Sequence, residues 1–242
     1  AAVAAIEPEP EGGFLVRLRR TDGGGDLAVE ADEVIAATGF TTPLQDLGDI
    51  GVDTVGSSRL PVQTAWWESR SRPGLFFAGT IGQGARGLQK RGIPSNSGAV
   101  HGARYNATVL ARRIAAERFG RPWQRPELDP AGLVDFLATE LAEAPELWHQ
   151  RGYLARFVSA DPGAGLRDEG IQPLAHVLDT PGPAGLAVTL EADGSGAIFP
   201  VVYVCVDGGW SEHALEPDPL LRYDTPSTRH EIEALVRPLI AR

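Results

Sequence analysis

The sequence has one cysteine, Cys205, among its 242 residues, and it has no methionine. A single cysteine excludes an internal disulfide and the paired thiols of a C-x-x-C redox motif. It also favours a reducing compartment, and we predict a cytoplasmic location. The missing methionine predicts that the sequence begins inside a longer translation product.

Long apolar runs and basic charge are scarce as well. No stretch approaches the roughly eighteen apolar residues that predict a membrane-spanning helix. The 32 acidic residues outnumber the 22 Lys and Arg residues, and the formal net charge is −10. Nucleic acids and anionic membranes bind preferentially to basic surfaces, so neither is expected as a partner of this acidic chain. The five histidines lie far apart in sequence, and no metal site is predicted.

Residues 73–116 are the most informative stretch. They predict a turn at Pro73-Gly74, a short strand Leu75–Ala78 buried on both faces of a parallel sheet, a glycine-rich loop, and a long helix after Pro94. Glycines in the loop let backbone N–H groups approach a ligand closely. The helix would offer its positive end to an electron-rich group.

Residues 82–87 also fit G-x-G-x-x-G, which is the dinucleotide fingerprint. That fingerprint needs a helix to open within the motif and an acidic residue about twenty positions later. Here Gly92 and Pro94 prevent a helix from opening within the motif. The first acidic residue after the motif is Glu117, which is too far along the chain. We therefore reject the ordinary fingerprint at this position.

A second stretch, residues 31–40, predicts an apolar strand that ends in Thr38-Gly39-Phe40. Together the two stretches resemble the flavin-containing monooxygenases and their thioredoxin-reductase-like relatives. In that superfamily an "ATG" strand end and a later "PGLFAAGD" strand both meet FAD. The matching residues are Ala37, Thr38 and Gly39, followed by Pro73, Gly74, Leu75, Phe76, Phe77, Ala78, Gly79 and Thr80. The resemblance covers about residues 1–118.

The resemblance implies a set of FAD-binding residues and NAD(P)H as the electron donor. Those residues are Thr38, Gly39, Phe40, Gly79, Thr80, Ile81, Gly84, Ser97 and Gly98. The reductases carry Asp where this sequence has Thr80, so the resemblance is greater to the monooxygenases. The first FAD fingerprint is absent, which predicts a C-terminal portion of a flavoprotein. No catalytic residue is assigned.

The predicted fold class is α/β: part of a two-dinucleotide-binding-domain flavoprotein, Rossmann-like and FAD/NAD(P)-binding, followed by a smaller α+β domain. We place the first region at residues 1–124 and the second at 125–242. The function that follows is an FAD-dependent NAD(P)H oxidoreductase acting on a small-molecule substrate. Two alternatives stay open: a non-catalytic remnant or interaction module, and a flavin-dependent disulfide reductase. The expected partner is a second copy of the chain or the N-terminal half of a parent chain.

The periodicity of apolar residues predicts further elements. A polar segment, residues 1–11, precedes a hairpin formed by residues 14–19 and 27–30. Later elements are a helix capped by Asp129, a helix from Pro145 through Phe157, a helix over residues 171–178, a hairpin formed by residues 185–192 and 197–206, and a closing helix over residues 231–240. Thr228 and Glu231 have capping-box spacing.

Several side chains have both a chemical and a structural interpretation. His101 is placed to approach a flavin, but an ordinary helix-surface or packing histidine is the favoured reading. The adjacent Trp66 and Trp67 favour core packing, with a ligand cover as the alternative. The basic residues Arg86, Lys90 and Arg91 suit either cofactor phosphates or a solvated loop. The contiguous triplet Ser211-Glu212-His213 is not expected to converge as nucleophile and base.

Overall fold

The computed structural model describes residues 1–37, 42, 44, 48–55, 60–82, 100–161, 163, 165–180, 182 and 184–240. The chain forms two compact units, Ala1–Thr41 and Thr42–Arg242. Within the described ranges, every helix is too short or too polar to cross a membrane. The predicted domain boundary after residue 124 stays a prediction.

The first unit is a three-stranded antiparallel sheet in the order β1-β2-β3. The strands are β1 (Ala2–Pro8), β2 (Phe14–Arg19) and β3 (Leu27–Ala31). The hairpin of β2 and β3 confirms the predicted one, but β1 was expected to be an irregular polar segment. Its apolar residues pair with those of β2, because Val3 lies opposite Leu18 and Ile6 opposite Val16. Cross-strand apolar pairs of this kind stabilise a sheet even where one face is solvated.

The second unit contains a six-stranded sheet in the order β11-β10-β9-β7-β8-β6 and a two-stranded sheet of β4 and β5. The strands are β4 (Thr54–Val55), β5 (Leu60–Pro61), β6 (Glu127–Leu128), β7 (Leu154–Asp161), β8 (Gly165–Pro173), β9 (Gly185–Ala192), β10 (Ile198–Val206) and β11 (Gly209–Ala214). Every strand pair in the described residues is antiparallel. The predicted hairpin of residues 185–192 and 197–206 is confirmed as β9 and β10.

Five α-helices are described: α1 (Val100–Phe119), α2 (Leu133–Glu143), α3 (Pro145–His149), α4 (Leu174–Asp179) and α5 (Pro226–Ile240). Helices α1, α2, α3 and α5 contribute to the main hydrophobic core, which includes Leu154, Val188 and Val202 from the sheet. A smaller core joins α4 to Ala187 and Val201. Since successive side chains of a strand point to opposite faces, the sheet is covered on both sides.

The helix predicted from Pro145 through Phe157 is wrong in its second half. Helix α3 ends at His149, and β7 begins only five residues later, at Leu154. Gly152 adopts φ +64° and donates its N–H to the carbonyl of Leu190 at 2.7 Å. A positive φ favours glycine and ends the helical path. Strand β7 is buried on both faces, so its sequence lacks the alternation that marks a half-exposed strand.

The helix predicted over residues 171–178 begins too early. Residues up to Pro173 belong to β8, and only Leu174–Asp179 are helical. Pro173 is the last residue of β8 and has the extended angles φ −61° and ψ 124°. It is also the residue that precedes the first helical residue of α4, Leu174. A short apolar run does not distinguish a strand end from a helix start.

The predicted cap at Asp129 is confirmed, while the cap of the last helix lies elsewhere than expected. The Asp129 side chain accepts a hydrogen bond from the N–H of Ala131 at 3.0 Å, ahead of α2. Helix α5 starts at Pro226, and the hydroxyl of Thr225 accepts the N–H of Thr228 at 3.2 Å. Thr225 is therefore the capping residue, because a cap accepts from the third residue of its helix.

Replacing Thr225 with alanine should lower the free energy of unfolding by about 1 kcal/mol, because it removes this cap. Chemical denaturation measures the change. The control is Ser227→Ala at the neighbouring exposed position. An equal effect of both substitutions would show that Thr225 does not cap α5.

His176 on α4 gives the unit a specific dependence on pH. Its ring lies 5.0 Å from that of Trp66, and its Nδ1 is 3.2 Å from the Thr180 hydroxyl. Burial lowers the pKa of His176, and the nearby Arg113 lowers it further, while Asp179 and Glu117 oppose the shift. The unfolded chain therefore binds a proton more readily than the folded chain does, and stability falls as the pH drops below about 6.5.

We expect His176→Gln to make the free energy of unfolding less dependent on pH below about 6.5. Denaturant titrations at a series of pH values measure this dependence, and His230→Gln on the exposed side of α5 is the control. An unchanged pH dependence in His176→Gln would assign the loss of stability to other groups.

Candidate functional site

Of the nine residues predicted to bind a cofactor, the structure describes Gly79, Thr80 and Ile81. The other six are Thr38, Gly39, Phe40, Gly84, Ser97 and Gly98, and they lie outside the described residues. The basic residues Arg86, Lys90 and Arg91 lie outside them too. The roles of these residues stay predictions.

The segment Leu75–Ala78 is not the buried parallel strand that the sequence predicted. Phe76 forms one isolated antiparallel bridge with Glu68, and the last residue of the segment is exposed. Phe77 is buried, and its N–H donates to the carbonyl of Trp67 at 2.8 Å. The segment is thus attached to the turn around Trp67.

The four residues Gly79–Gly82 form what we call the glycine turn. Gly79 has φ +84°, and a Cβ built on it would meet no atom of the described residues within 4 Å. The N–H of Gly82 donates to the Gly79 carbonyl at 3.1 Å, which closes the turn. A Cβ on Gly82 would approach Cδ1 of Trp67 to 3.2 Å, so this glycine permits close packing. The backbone at Gly79 is therefore open to a neighbouring group, and the backbone at Gly82 is packed against the indole.

Trp67 lies at the centre of the site in a strained conformation. Its φ is +59°, which is rare for a bulky residue and costs about 1–3 kcal/mol. Trp67 is 1% exposed, and its backbone N–H donates to the carbonyl of Thr64 at 3.1 Å. The Thr64 hydroxyl accepts the N–H groups of Trp66 and Glu68. This short turn and the surrounding core hold the backbone of Trp67 in place.

Trp67 stacks on Tyr153, which precedes β7. The two ring centroids are 5.9 Å apart, and the interplanar angle is 29°. Burial raises the pKa of Tyr153 well above its usual range, and the nearby Trp67 indole offsets a small part of that shift. The phenol hydroxyl and the indole N–H nevertheless do not meet the geometry of a hydrogen bond, and neither has another partner in the described part of the chain. Tyr153 therefore stays a neutral donor.

Other buried polar atoms in the described residues also have no protein partner. They are Oε1 of Gln63, Nε1 of Trp66, and both amide atoms of Asn106 and of Gln150. The opposite end of the Gln63 amide does have a partner, because Nε2 donates to the carbonyl of Gly82 at 3.1 Å. Each buried group that lacks a partner costs about 1–3 kcal/mol. Concentrated on neighbouring elements, such groups indicate a binding site for a polar ligand.

Helix α1 joins these elements, since it contacts both the 3₁₀ turn at Thr80–Gly82 and helix α3. Its buried face carries Gly102, Ala103, Asn106, Val109 and Leu110, with the recurrence at three and four expected of a helix. Asn106 is the one polar side chain on that face and is 5% exposed. An amide is thus placed within an otherwise apolar contact surface.

His101 stacks on another histidine. Its ring centroid is 5.4 Å from that of His149, which in turn lies 5.5 Å from the ring of Tyr105. The arrangement favours the packing interpretation of His101, whose relation to a flavin stays a prediction. Trp66 and Trp67 are both members of the main core, in agreement with the structural interpretation of the pair.

The expectation that Ser211 and His213 do not converge is wrong. The two residues lie on the same face of β11, and the Ser211 hydroxyl is 2.9 Å from Nε2 of His213. Alternate residues of a strand share a face, which brings the pair together without unusual geometry. No carboxylate orients the other ring nitrogen in the described residues, and Ser211 is exposed and also donates to the carbonyl of Val204 at 3.2 Å. The pair therefore lacks the third group of a hydrolytic triad.

The chemistry of the site is that of neutral hydrogen-bonding groups. Three amides, two indoles and one phenol supply both donors and acceptors. In the described residues, no set of three His, Cys, Asp or Glu side chains is placed to hold a metal ion. As far as the described residues show, the site therefore suits an uncharged polar ring system better than a cation.

Sequence reasoning found the glycine turn but missed Gln63, Asn106, Gln150 and Tyr153. No motif contains them, and their sequence neighbours give no signal of a site. Their relevance arises only from burial without a partner, which is a property of the folded chain.

Comparisons with protein-family models, with curated proteins and with solved structures found no match to this chain.

Gln150→Leu should raise the free energy of unfolding by about 1 kcal/mol, because it removes two buried polar atoms without partners at nearly constant volume. The matched control is Gln172→Leu on β8, whose Nε2 donates to the carbonyl of Glu169 at 3.0 Å. The control should lower the free energy of unfolding. If Gln150→Leu destabilises the chain as much as Gln172→Leu does, the Gln150 amide is satisfied within the protein.

Proposed function

We propose that this chain is the C-terminal portion of an FAD-dependent, NAD(P)H-using oxidoreductase of the flavin monooxygenase kind. One observation adds to the sequence motifs: two buried side chains that have a polar atom without a partner in the described residues contact the glycine turn, since Trp67 packs on Gly82 and the Gln63 amide donates to the Gly82 carbonyl. The motif that resembles an FAD-binding strand end and the unsatisfied groups thus occur in one part of the fold.

The residues present fit part of a flavin site. The open space at Gly79 and its positive φ suit a backbone that approaches a ligand, as the resemblance implies for the ribityl and pyrophosphate region. Thr80 is exposed and offers a hydroxyl beside it. Ile81 is partly buried and would contribute an apolar contact. The remaining proposed contacts are the six predicted residues outside the described ranges.

The neutral amides and ring donors suit the isoalloxazine ring, which is flat, uncharged and bordered by carbonyl and N–H groups. When bound, FAD supplies the redox chemistry, because it accepts hydride from a nicotinamide and passes electrons on, to O₂ in the monooxygenase case. The residues of this chain would bind and orient the ring, while Trp67 and Phe77 exclude water from its surroundings. The positive end of the helix predicted to begin near Ser97 would favour a reduced, anionic flavin by about 1 kcal/mol.

The finer parts of the proposal rest on the sequence. They are NAD(P)H as the electron donor, a small-molecule substrate, a cytoplasmic location, and a parent chain or second copy that supplies the other half of the flavin site. A disulfide reductase is the weaker alternative, because Cys205 is buried in β10 and the sequence has no second thiol.

A second candidate function is an interaction module without redox chemistry. It is favoured by the six-stranded antiparallel sheet, since the resembled flavoproteins bind dinucleotides at the ends of parallel strands. In that case the unpaired polar side chains would recognise a ligand other than a flavin. Binding of FAD separates the two candidates.

We expect the purified chain, incubated with FAD and passed through a desalting column, to retain visible flavin absorbance. Gly79→Ala should reduce the retained flavin, because a side chain at φ +84° displaces the backbone at the turn. The matched control is Gly196→Ala, with φ +86° and the same absence of neighbours within 4 Å. Both substitutions should cost similar stability, so only the flavin signal distinguishes them.

Two results would contradict the proposal. The first is that neither the wild-type chain nor its longer parent retains flavin at any FAD concentration, which would leave the interaction module as the better account. The second is an equal loss of flavin in both glycine variants, which would mean that binding depends on overall stability and not on the glycine turn.

A further inference from the structure

A cavity lies at the C-terminal end of α1, and its lining contains none of the nine residues predicted to bind FAD. Its volume is about 530 Å³, which is within the range of small-molecule sites. We call it the arginine cleft and define it by Arg112, Arg121, Trp123, Arg156, Asp168 and Gly170. Three guanidinium groups thus face one cavity in a chain whose formal net charge is −10.

The end of α1 places two of these arginines. The helix ends at Phe119, and Gly120 takes φ +61°, which turns the chain back. The N–H of Arg121 then donates to the carbonyl of Ala115 at 3.1 Å. This reversal brings Arg121 beside the helix face that carries Arg112. Arginine near a helix end also complements the helix dipole, so charge alone does not define a site.

The cleft has a rigid wall formed by Trp123. The indole N–H donates to the carbonyl of Glu169 at 2.8 Å, and the ring meets that of Trp66 edge-on at 6.4 Å. The indole lies over Gly170, where a Cβ would come within 3.5 Å of it. The ring is therefore fixed on several sides while it still lines the cavity. A fixed aromatic surface suits the flat part of a ligand.

The third guanidinium is already neutralised. Arg156 donates to Oε2 of Glu140 at 2.7 Å and lies 3.4 Å from Oδ2 of Asp168. Its side chain is 19% exposed, so these two carboxylates hold it in one position. Arg112 and Arg121 are exposed and have no carboxylate partner in the described part of the chain. Arg156 with Glu140 and Asp168 sums to one negative charge, so Arg112 and Arg121 leave the cleft with one net positive charge and with two unpaired guanidinium groups at its rim.

We propose that the arginine cleft binds a small organic phosphate monoester. Two guanidinium groups without a carboxylate partner in the described residues attract a phosphate dianion and suit the geometry of its oxygens. A volume of about 530 Å³ exceeds what phosphate alone needs, and the Trp123 wall accommodates an attached ring. The site is separate from the glycine turn, and the inference does not depend on FAD.

Phenyl phosphate is the probe, and isothermal titration calorimetry at low ionic strength is the measurement. We expect one phenyl phosphate per chain, with much weaker binding of phenol, which lacks the dianion. The variant Arg112→Gln/Arg121→Gln should weaken phenyl phosphate by about tenfold or more, since a hydrogen bond to a charged group contributes about 1.5–3 kcal/mol. Arg121→Gln alone should have an intermediate effect and provides a second test if the double variant unfolds.

The control variant is Arg222→Gln/Arg237→Gln, which removes the same charge from exposed positions paired with Asp218 and Glu233. It should leave phenyl phosphate binding unchanged within about twofold, apart from the general loss of attraction. The proposal is overturned if the wild-type chain binds no phenyl phosphate, if phenol binds equally well, or if the control variant weakens binding as much as the cleft variant does.

Discussion

The stacking of Trp67 on Tyr153 is the contact on which the described part of the site depends. Tyr153 precedes the central strand β7, whereas Trp67 belongs to a short turn far earlier in the chain. The contact joins the glycine turn to the main core, because Gly82 packs on the same indole. Trp67 keeps a strained backbone there, and such strain persists only where the surrounding structure fixes it. The position of the site is thus decided by tertiary packing around one residue.

The sequence predicted those features of the fold that have a local cause. The hairpin of β9 and β10 surrounds a turn of Asp, Gly and Ser, and Asp129 precedes a proline at a helix start. Both signals act over a few residues. Strand β7 has no such signal, because helices cover one face and α4 lies on the other, and a strand buried on both faces has the composition of a buried helix. The correct assignment needed the positive φ of Gly152, which the sequence permits but does not require.

The residues of the candidate site likewise divide into those with a local sequence signal and those without one. The resemblance of one motif to a flavoprotein strand end predicted Gly79, Thr80 and Ile81 as binding residues, and their role stays a prediction. Gln150 and Tyr153 carry no comparable signal, since a buried polar residue is most often satisfied inside the protein. Whether it is satisfied depends on its neighbours in space. Ser211 and His213 were expected to stay apart because their triplet is contiguous in sequence. The alternation of side chains along a strand instead brings the two together on one face.

The two sites differ in the charge that they can accept, and burial explains the difference. Around Trp67 the polar groups are buried and neutral, so they suit the uncharged part of a ligand better than a charged part. At the arginine cleft Arg112 and Arg121 remain in contact with water, so they keep their charge at little cost. The innermost guanidinium, Arg156, is tolerated because Glu140 and Asp168 accompany it. We therefore expect the uncharged ring of a ligand beside the buried tyrosine and tryptophan, and a phosphate at the exposed end of α1.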